Sequence, residues 1–320
     1  MEDAILVTGG AGFIGSTAIA ALLGEGARIV CVDNFSDDYD PALKRKNIKP
    51  FLGNENFTLI EADIRDKKIM EKAFRKGKFA KVLHLAARAG VRQSIAQPEL
   101  YEDINVRGTL NMLDAAKAHG VKDFVFASSS SIYGATKNIP FKEGDGGIAV
   151  SPYAVTKRAG ELYCSYYSRA YDMNCACLRY FTVYGPGQRP ALAIHKFTRL
   201  ISEGMEVPIY GDGSSARDYT YVSDIVRGTL AALEFSGKNR GFQIINLGNS
   251  RPVNIMELVG LIEKELGKKA NVRHVQEQAG DVKVTHADIS KAGRLLGYEP
   301  KMKIEEGIGK FVEWYNSGGK

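Results

Sequence analysis

The sequence of 320 residues is poor in the features that announce a secreted, membrane-bound or metal-held protein: it has four cysteines, one tryptophan and ten prolines. Cys31, Cys164, Cys175 and Cys177 follow neither a disulfide framework nor zinc spacing, so reduced and packed thiols are expected. The five histidines, His84, His119, His195, His274 and His286, have no metal-ligand spacing, and His84 sits inside a strand-like run where packing against the fold is its reading. Neither sign of charge dominates, with 43 basic and 37 acidic residues. Short basic runs such as Lys44-Arg45-Lys46 and Lys67-Lys68 lie among acids, which indicates a solvated surface and no nucleic-acid partner. No apolar run reaches the length of a membrane span. The N-terminal stretch is broken by Thr8 and glycines and has no basic leader or cleavage site. With no repeat or low-complexity linker and 44% hydrophobic residues, the chain reads as a cytoplasmic protein with a substantial core.

Glycine is what the chain has in quantity. Thr8-Gly9-Gly10-Ala11-Gly12-Phe13-Ile14-Gly15 stands directly after the apolar run Ala4-Ile5-Leu6-Val7 and before the helical run Ala18-Ile19-Ala20-Ala21-Leu22-Leu23. A buried strand that turns through glycines into a helix exposes backbone N–H groups where a pyrophosphate can sit. The next apolar strand, Ile29-Val30-Cys31-Val32, ends in Asp33, whose carboxylate suits ribose hydroxyls and repels the extra phosphate of NADP. NAD is therefore the expected cofactor, with Gly9, Gly12, Phe13, Ile14, Gly15, Asp33 and Asn34 as candidate contacts.

Strand-like runs at 57–60, 81–85, 124–127 and 174–178 alternate with amphipathic helical stretches. That alternation predicts an α/β fold with a Rossmann-type, doubly wound parallel sheet. After about residue 181 the pattern changes to Gly/Pro-rich loops mixed with helices, a smaller C-terminal α/β substrate lobe. Residues 1–180 are expected to form the NAD-binding domain. The strand-like run 242–247 is expected to return to it, around 240–260, so that the mainly substrate-binding part, 181–320, is discontinuous.

The second chemical signal is Tyr153 with Lys157, four residues apart and so on one helix face, where the ammonium can lie near the phenol, favour its phenolate and hold the nicotinamide ribose. The strand 124–127 ends in Ser128-Ser129-Ser130-Ser131-Ile132-Tyr133-Gly134, a row of hydroxyls on the same sheet edge, in which Ser128 is expected to satisfy local backbone.

The glycine turn, the serine row before Tyr133-Gly134, and Tyr153 with Lys157 resemble the extended short-chain dehydrogenase/reductases that act on nucleotide sugars. The resemblance covers nearly the whole chain. It implies Ser129, Tyr153 and Lys157 as the catalytic set, Asp63 and Ile64 flanking the adenine, and Leu85, Ala86, Ala87 and Tyr180 in the cofactor groove. It also implies that Arg217-Asp218-Tyr219-Thr220-Tyr221-Val222, with Asp224, grips the nucleotide diphosphate, and that Gly280-Asp281 touches the nucleotide end. A surface ion pair with Asp218 is the other reading of Arg217.

Dehydratases of this family carry Asp-Glu after the catalytic Ser/Thr, and decarboxylases carry Glu at the second position. Ser130 and Ser131 stand there in this chain, and hydroxyls cannot act as the acid and base that loss of water needs. An NAD-dependent UDP-sugar 4-epimerase is implied. In it Tyr153 takes the proton of the 4-hydroxyl through Ser129 while carbon 4 is oxidised and then reduced from the other face. The segments 88–94 and 181–190 resemble UDP-glucuronate 4-epimerases, whereas UDP-glucose 4-epimerases have Asn where Thr182 stands. Ala191-Leu192 departs from the usual acid-Met pair. Arg88, Ser130, Ser131, Thr182 and Arg189 are the expected sugar contacts, Arg189 alternatively neutralising phosphate or pairing with an acid. A 4-epimerase of UDP-glucose or UDP-N-acetylglucosamine is the alternative within enzymes, and a non-catalytic NAD-binding regulatory protein the alternative outside them. By the same resemblance, Asn105–His119 and the helix bearing Tyr163, Tyr166 and Tyr167 pair two chains into a homodimer.

Overall fold

A computed structural model describes residues 4–277 and 282–319. The first part of the chain runs β1 (Ala4–Thr8), α1 (Phe13–Gly24), β2 (Ile29–Asp33), α2 (Pro41–Ile48), β3 (Phe57–Glu61), α3 (Lys67–Lys76) and β4 (Phe79–His84). It continues through α4 (Val91–Ala96), α5 (Pro98–Glu102), α6 (Gly108–Ala118), β5 (Asp123–Ser129), α7 (Pro152–Tyr171) and β6 (Asn174–Tyr180). Then follow β7 (Thr182–Tyr184), α8 (Ala193–Ser202), β8 (Glu206–Tyr210), β9 (Ala216–Tyr221), α9 (Val222–Lys238) and β10 (Phe242–Leu247). The last elements are β11 (Pro252–Asn254), α10 (Ile255–Leu266), β12 (Asn271–Val275), α11 (Ser290–Leu296) and α12 (Ile304–Asn316).

Seven strands form one parallel sheet in the order β10-β6-β5-β4-β1-β2-β3. The order reverses between β1 and β4, the switch point outside which an open α/β sheet binds its ligand. Alternate residues of the central strands are buried on opposite faces: Val7, Leu83 and Val125 in one core, Leu6, Val82 and Phe124 in the other. A strand buried on both faces needs a continuous apolar run, which is why these segments are hydrophobic without alternation. The expected doubly wound α/β fold is present. β7 and β11 flank β9 in a three-stranded sheet, and β8 pairs with β12 in a two-stranded one. Among the described residues no helix is long and apolar enough to cross a membrane. All four cysteines are free and buried.

Candidate active site

A cleft of about 490 Å³ opens along the carboxyl edge of the seven-stranded sheet at the β1/β4 switch point. One half is built on the glycine turn. Gly9 has φ +70°, and a Cβ there would stand 2.7 Å from the backbone nitrogen of Ala86, so the β1 turn and the end of β4 approach more closely than any side chain allows. At Gly15 a Cβ would meet the Gly9 carbonyl oxygen at 2.3 Å, which is how the first turn of α1 sits directly on the loop. The N-cap of α1 is Gly12, which supplies no side-chain acceptor, so the first N–H groups remain available to an anion in the cleft. Asp33 ends β2 with its carboxylate fixed by the N–H groups of Ala11 (3.0 Å) and Phe35 (2.9 Å). Burial nonetheless raises its pKa above the ordinary value, with Lys44 among the groups pulling it back.

The other half stands on α7. Ser151 caps this helix through the Ala154 N–H and Pro152 occupies its first turn, a strong start signal that sets Tyr153 at the cleft wall. The Tyr153 ring packs edge-on against Tyr101, centroids 6.2 Å apart. Burial pushes the Tyr153 phenol up, and the Ser129 hydroxyl and the Arg189 charge pull against that. Lys157 stands one helix turn on from Tyr153. Its Nζ donates to the Ala127 carbonyl at 2.7 Å and lies over the Phe126 ring at 4.9 Å, and burial lowers its pKa to about 8, which leaves it mostly charged at neutral pH.

Gly9, Gly12, Phe13, Ile14, Gly15, Asp33, Asn34, Asp63, Ile64, Leu85, Ala86, Ala87, Tyr153, Lys157 and Tyr180 all line this one cleft. Ser129, Ser130, Ser131, Arg88, Thr182 and Arg189 line it too. Arg189 reaches across from the loop after β7 and donates from Nη1 to the Ala89 carbonyl at 2.9 Å. Arg217 lies apart from that cleft, on a small neighbouring cavity of about 140 Å³ that shares Ser130, Ser131 and Thr182 with it. Its Nη1 donates to the carbonyls of Ala216 and Lys283. Gly280 and Asp281 lie outside the described residues.

Two acids expected at the diphosphate have structural tasks instead. Asp218 is fully buried and accepts the N–H groups of Asn249, Ser250 and Ala287 at 2.7–2.9 Å, tying three segments together. Asp224 accepts from the N–H groups of Lys301 and Met302 and pairs with Arg227. Ser128 also differs from expectation: its hydroxyl donates to Glu161 on α7 at 2.7 Å, not to local backbone. That carboxylate in turn holds the buried Arg179 through Nε and Nη2, both at 2.8 Å. The sequence reading missed Asp38, Tyr39 and Lys44, which line the same cleft. Lys44 pairs with Asp38 at 2.6 Å and lies 4.5 Å from the Tyr39 ring centroid. The available signal was the stretch from Ser36 to Lys44, which is crowded with acids and an aromatic straight after the end of β2.

The profile of the NAD dependent epimerase/dehydratase family matches residues 5–248. The chain belongs to this family. Among its epimerase relatives, a UDP-glucuronate 4-epimerase of Thermodesulfobacterium geofontis is 44% identical over 97% of this chain and 95% of that protein. UDP-glucuronate 4-epimerase 1 of Arabidopsis thaliana is 41% identical, over 98% of this chain and 76% of that protein. The solved UDP-glucuronic acid 4-epimerase of Bacillus cereus, in complex with UDP-glucuronic acid and NAD, superposes with a TM-score of 0.92 at 36% identity, covering 98% of this chain and 99% of that one. A UDP-glucose 4-epimerase of Thermotoga maritima gives 0.91 at 34% identity, over 99% of each chain.

Proposed function

We propose that this epimerase-family chain is an NAD-dependent 4-epimerase that interconverts UDP-glucuronate and UDP-galacturonate through a 4-keto sugar. The observation that carries the reading is one cleft whose two halves have different chemistries and whose wall carries both Tyr153 and Ser129. The first half fits a dinucleotide: its glycines hold a gap that a Cβ would fill, the α1 terminus keeps its N–H groups, and Asp33 is prealigned for a ribose. The identities of the named UDP-glucuronate 4-epimerases, 44% and 41%, support the choice of substrate.

When bound, NAD supplies the reversible hydride acceptor that lets carbon 4 of the sugar pass through a ketone. Tyr153, as the phenolate, takes the proton of the 4-hydroxyl on its oxygen and returns it to the product, with Ser129 bridging the phenolate and the sugar oxygen. Lys157 keeps its charge under the Tyr153 helix turn and anchors the end of β5 through the Ala127 carbonyl. A 4-keto uronate is a β-keto acid and loses carbon dioxide when its carboxylate bond aligns with the ketone π system. Thr182, Ser130, Ser131 and Arg189 hold the carboxylate out of that alignment, and Arg88 and Arg217 serve the rest of the substrate, as Asp281 would at the nucleotide end. Residues 1–180 with β10 hold the cofactor, and the remainder of 181–320 holds the sugar nucleotide. The buried free thiols agree with a cytoplasmic setting. Two chains pair through α6 and α7, where Val155, Leu162 and Tyr166 are exposed.

Incubation with a panel of UDP-sugars, resolved by NMR, tests the assignment. Conversion of UDP-glucuronate to UDP-galacturonate is expected, and turnover of UDP-glucose or UDP-N-acetylglucosamine alone would overturn it. Arg189→Ala should raise KM for UDP-glucuronate roughly tenfold to a hundredfold, the loss of a charge-assisted contact of about 1.5–3 kcal/mol. The same variant should release a growing fraction of UDP-4-keto-pentose, visible in the same spectra; an unchanged KM and a clean product would remove Arg189 from the grip. Asp33→Ala should weaken NAD binding by about tenfold and narrow the preference over NADP, because ribose contacts and phosphate repulsion vanish together. Equal dissociation constants for wild type and variant, measured with each cofactor, would refute that role.

A further inference from the structure

A buried chain of hydrogen bonds runs beneath the cleft, through a histidine to which the chemistry above gives no task. The Thr109 hydroxyl donates to the Asn105 carbonyl at 2.6 Å, so its one proton is committed there. Toward the His84 ring, whose Nε2 lies 3.0 Å away, Thr109 can therefore only accept. Nε2 carries the hydrogen, and Nδ1 of the neutral ring is an acceptor. Thr8 Oγ1, 2.7 Å from Nδ1, donates to it and in turn accepts from the Ala86 N–H at 3.3 Å. Every hydrogen points the same way, from Ala86 through Thr8, His84 and Thr109 to Asn105. The Asn105 side chain extends the run, donating to Thr156 Oγ1 at 3.0 Å, and Thr156 donates to the Tyr153 carbonyl at 2.9 Å.

One end of this chain ties the two strand ends at the glycine turn, and the other reaches the backbone of Tyr153. Thr8 immediately precedes Gly9, and the Ala86 nitrogen is the atom that a Gly9 side chain would strike. A charged ring could not serve. With a hydrogen on Nδ1, the Thr8 hydroxyl would lose its acceptor in a dry site. That site is closed by Phe124 and Phe126 of β5, whose centroids lie 5.8 and 5.9 Å from the ring. Thr8 of β1 and Thr109 of α6 complete the shell with uncharged groups, and Lys157 of α7 is the cation that faces it. Burial and that cation push His84 down to about 3. In a dense, desolvated setting such a string holds two backbone segments at a fixed separation.

We propose that His84 is a positioning residue: as the neutral Nε2–H tautomer it sets the spacing between the Gly9 turn and the Ala86 strand end, and with it dinucleotide retention and the seat of Tyr153. This rests on the cofactor reading above, and its test does not need sugar turnover. Thr8→Val and Thr109→Val cut the chain at nearly constant volume and orphan the Ala86 N–H or the His84 ring, while Thr8→Ser and Thr109→Ser keep the hydroxyl. In holoenzyme exchanged against isotopically labelled NAD, the valine variants should release the cofactor about tenfold faster than wild type and the serine variants within about twofold of it. Nitrogen-15 histidine NMR of the wild-type holoenzyme should show a protonated Nε2 and a bare Nδ1 for His84, unchanged from about pH 5.5 to about pH 8. A protonated Nδ1, titration within that range, or wild-type NAD release from both valine variants would each overturn the proposal. The wild-type spectra decide it even if a valine variant fails to fold, and a holoprotein that holds no NAD would overturn the cofactor reading instead.

Discussion

Tyr153→Phe is expected to lower kcat for UDP-glucuronate epimerisation by about a hundredfold to ten-thousandfold while the purified protein keeps its NAD. The ring contributes packing and the hydroxyl contributes the proton step, and the substitution separates the two. The edge-on contact with Tyr101 and the Ser151 cap of α7 need only the ring and backbone, so the cleft wall stays in place. Nothing in the glycine turn or around Asp33 depends on the phenol. Turnover followed by NMR, beside the NAD content of the denatured protein, checks both halves of the statement. Near-normal epimerisation would remove Tyr153 from the chemistry, and lost NAD would show that the hydroxyl also serves the cofactor.

The largest stability effect is expected at Glu161. Arg179 has a fully buried side chain, and its charge is met by Glu161 through two hydrogen bonds, with the Glu143 carbonyl and the Tyr133 ring as its remaining partners. Glu161→Leu strands that guanidinium without a counter-charge, which costs about 3–5 kcal/mol. That is a large share of the ~5–15 kcal/mol by which a domain is stable. Urea unfolding measures it as a fall in the transition midpoint, and a loss under about 1 kcal/mol would contradict the account. Glu161→Leu combined with Arg179→Met should recover most of the deficit, since well-packed apolar replacements of a buried ion pair are often close to neutral.

Much of the cleft was legible in the chain because its parts are local patterns. The turn from 8 to 15 is a run of glycines between two periodic segments, Asp33 closes a strand, and Tyr153 and Lys157 stand four apart on one helix. Polar partnerships across the fold were not legible. Spacing along a helix places Lys157 near Tyr153 but says nothing of Ala127, 30 residues away in sequence, whose carbonyl takes the ammonium. Asp218 and Asp224 stand in a segment that resembles a phosphate grip, yet burial forces each to find backbone donors on distant segments, at Asn249 and Ala287 for the first and at Met302 for the second. Ser128 reads as a local turn hydroxyl because its partner Glu161 lies 33 residues on. The direction of the hydrogens around His84 needs three distances from three elements at once, and no sequence pattern carries that information.

The strand that completes the large sheet arrives late. β6 pairs with β5 on one side and with β10 on the other, and β10 begins at Phe242, after β7, α8, β8, β9 and α9 have been made. At synthesis rates of roughly 5–20 residues per second, the outer edge of β6 waits roughly 3–13 s for its partner on the ribosome. During that interval the backbone from Asn174 to Tyr180 presents unpaired donors and acceptors beside the buried apolar residues Cys175, Ala176, Cys177 and Leu178. Such an edge is a template for pairing with another nascent chain. The arrangement that brings the later half of the polypeptide back to the first thus makes the yield of native protein depend on how quickly about sixty residues follow β6, a matter of elongation rate and chaperone cover rather than of the finished fold.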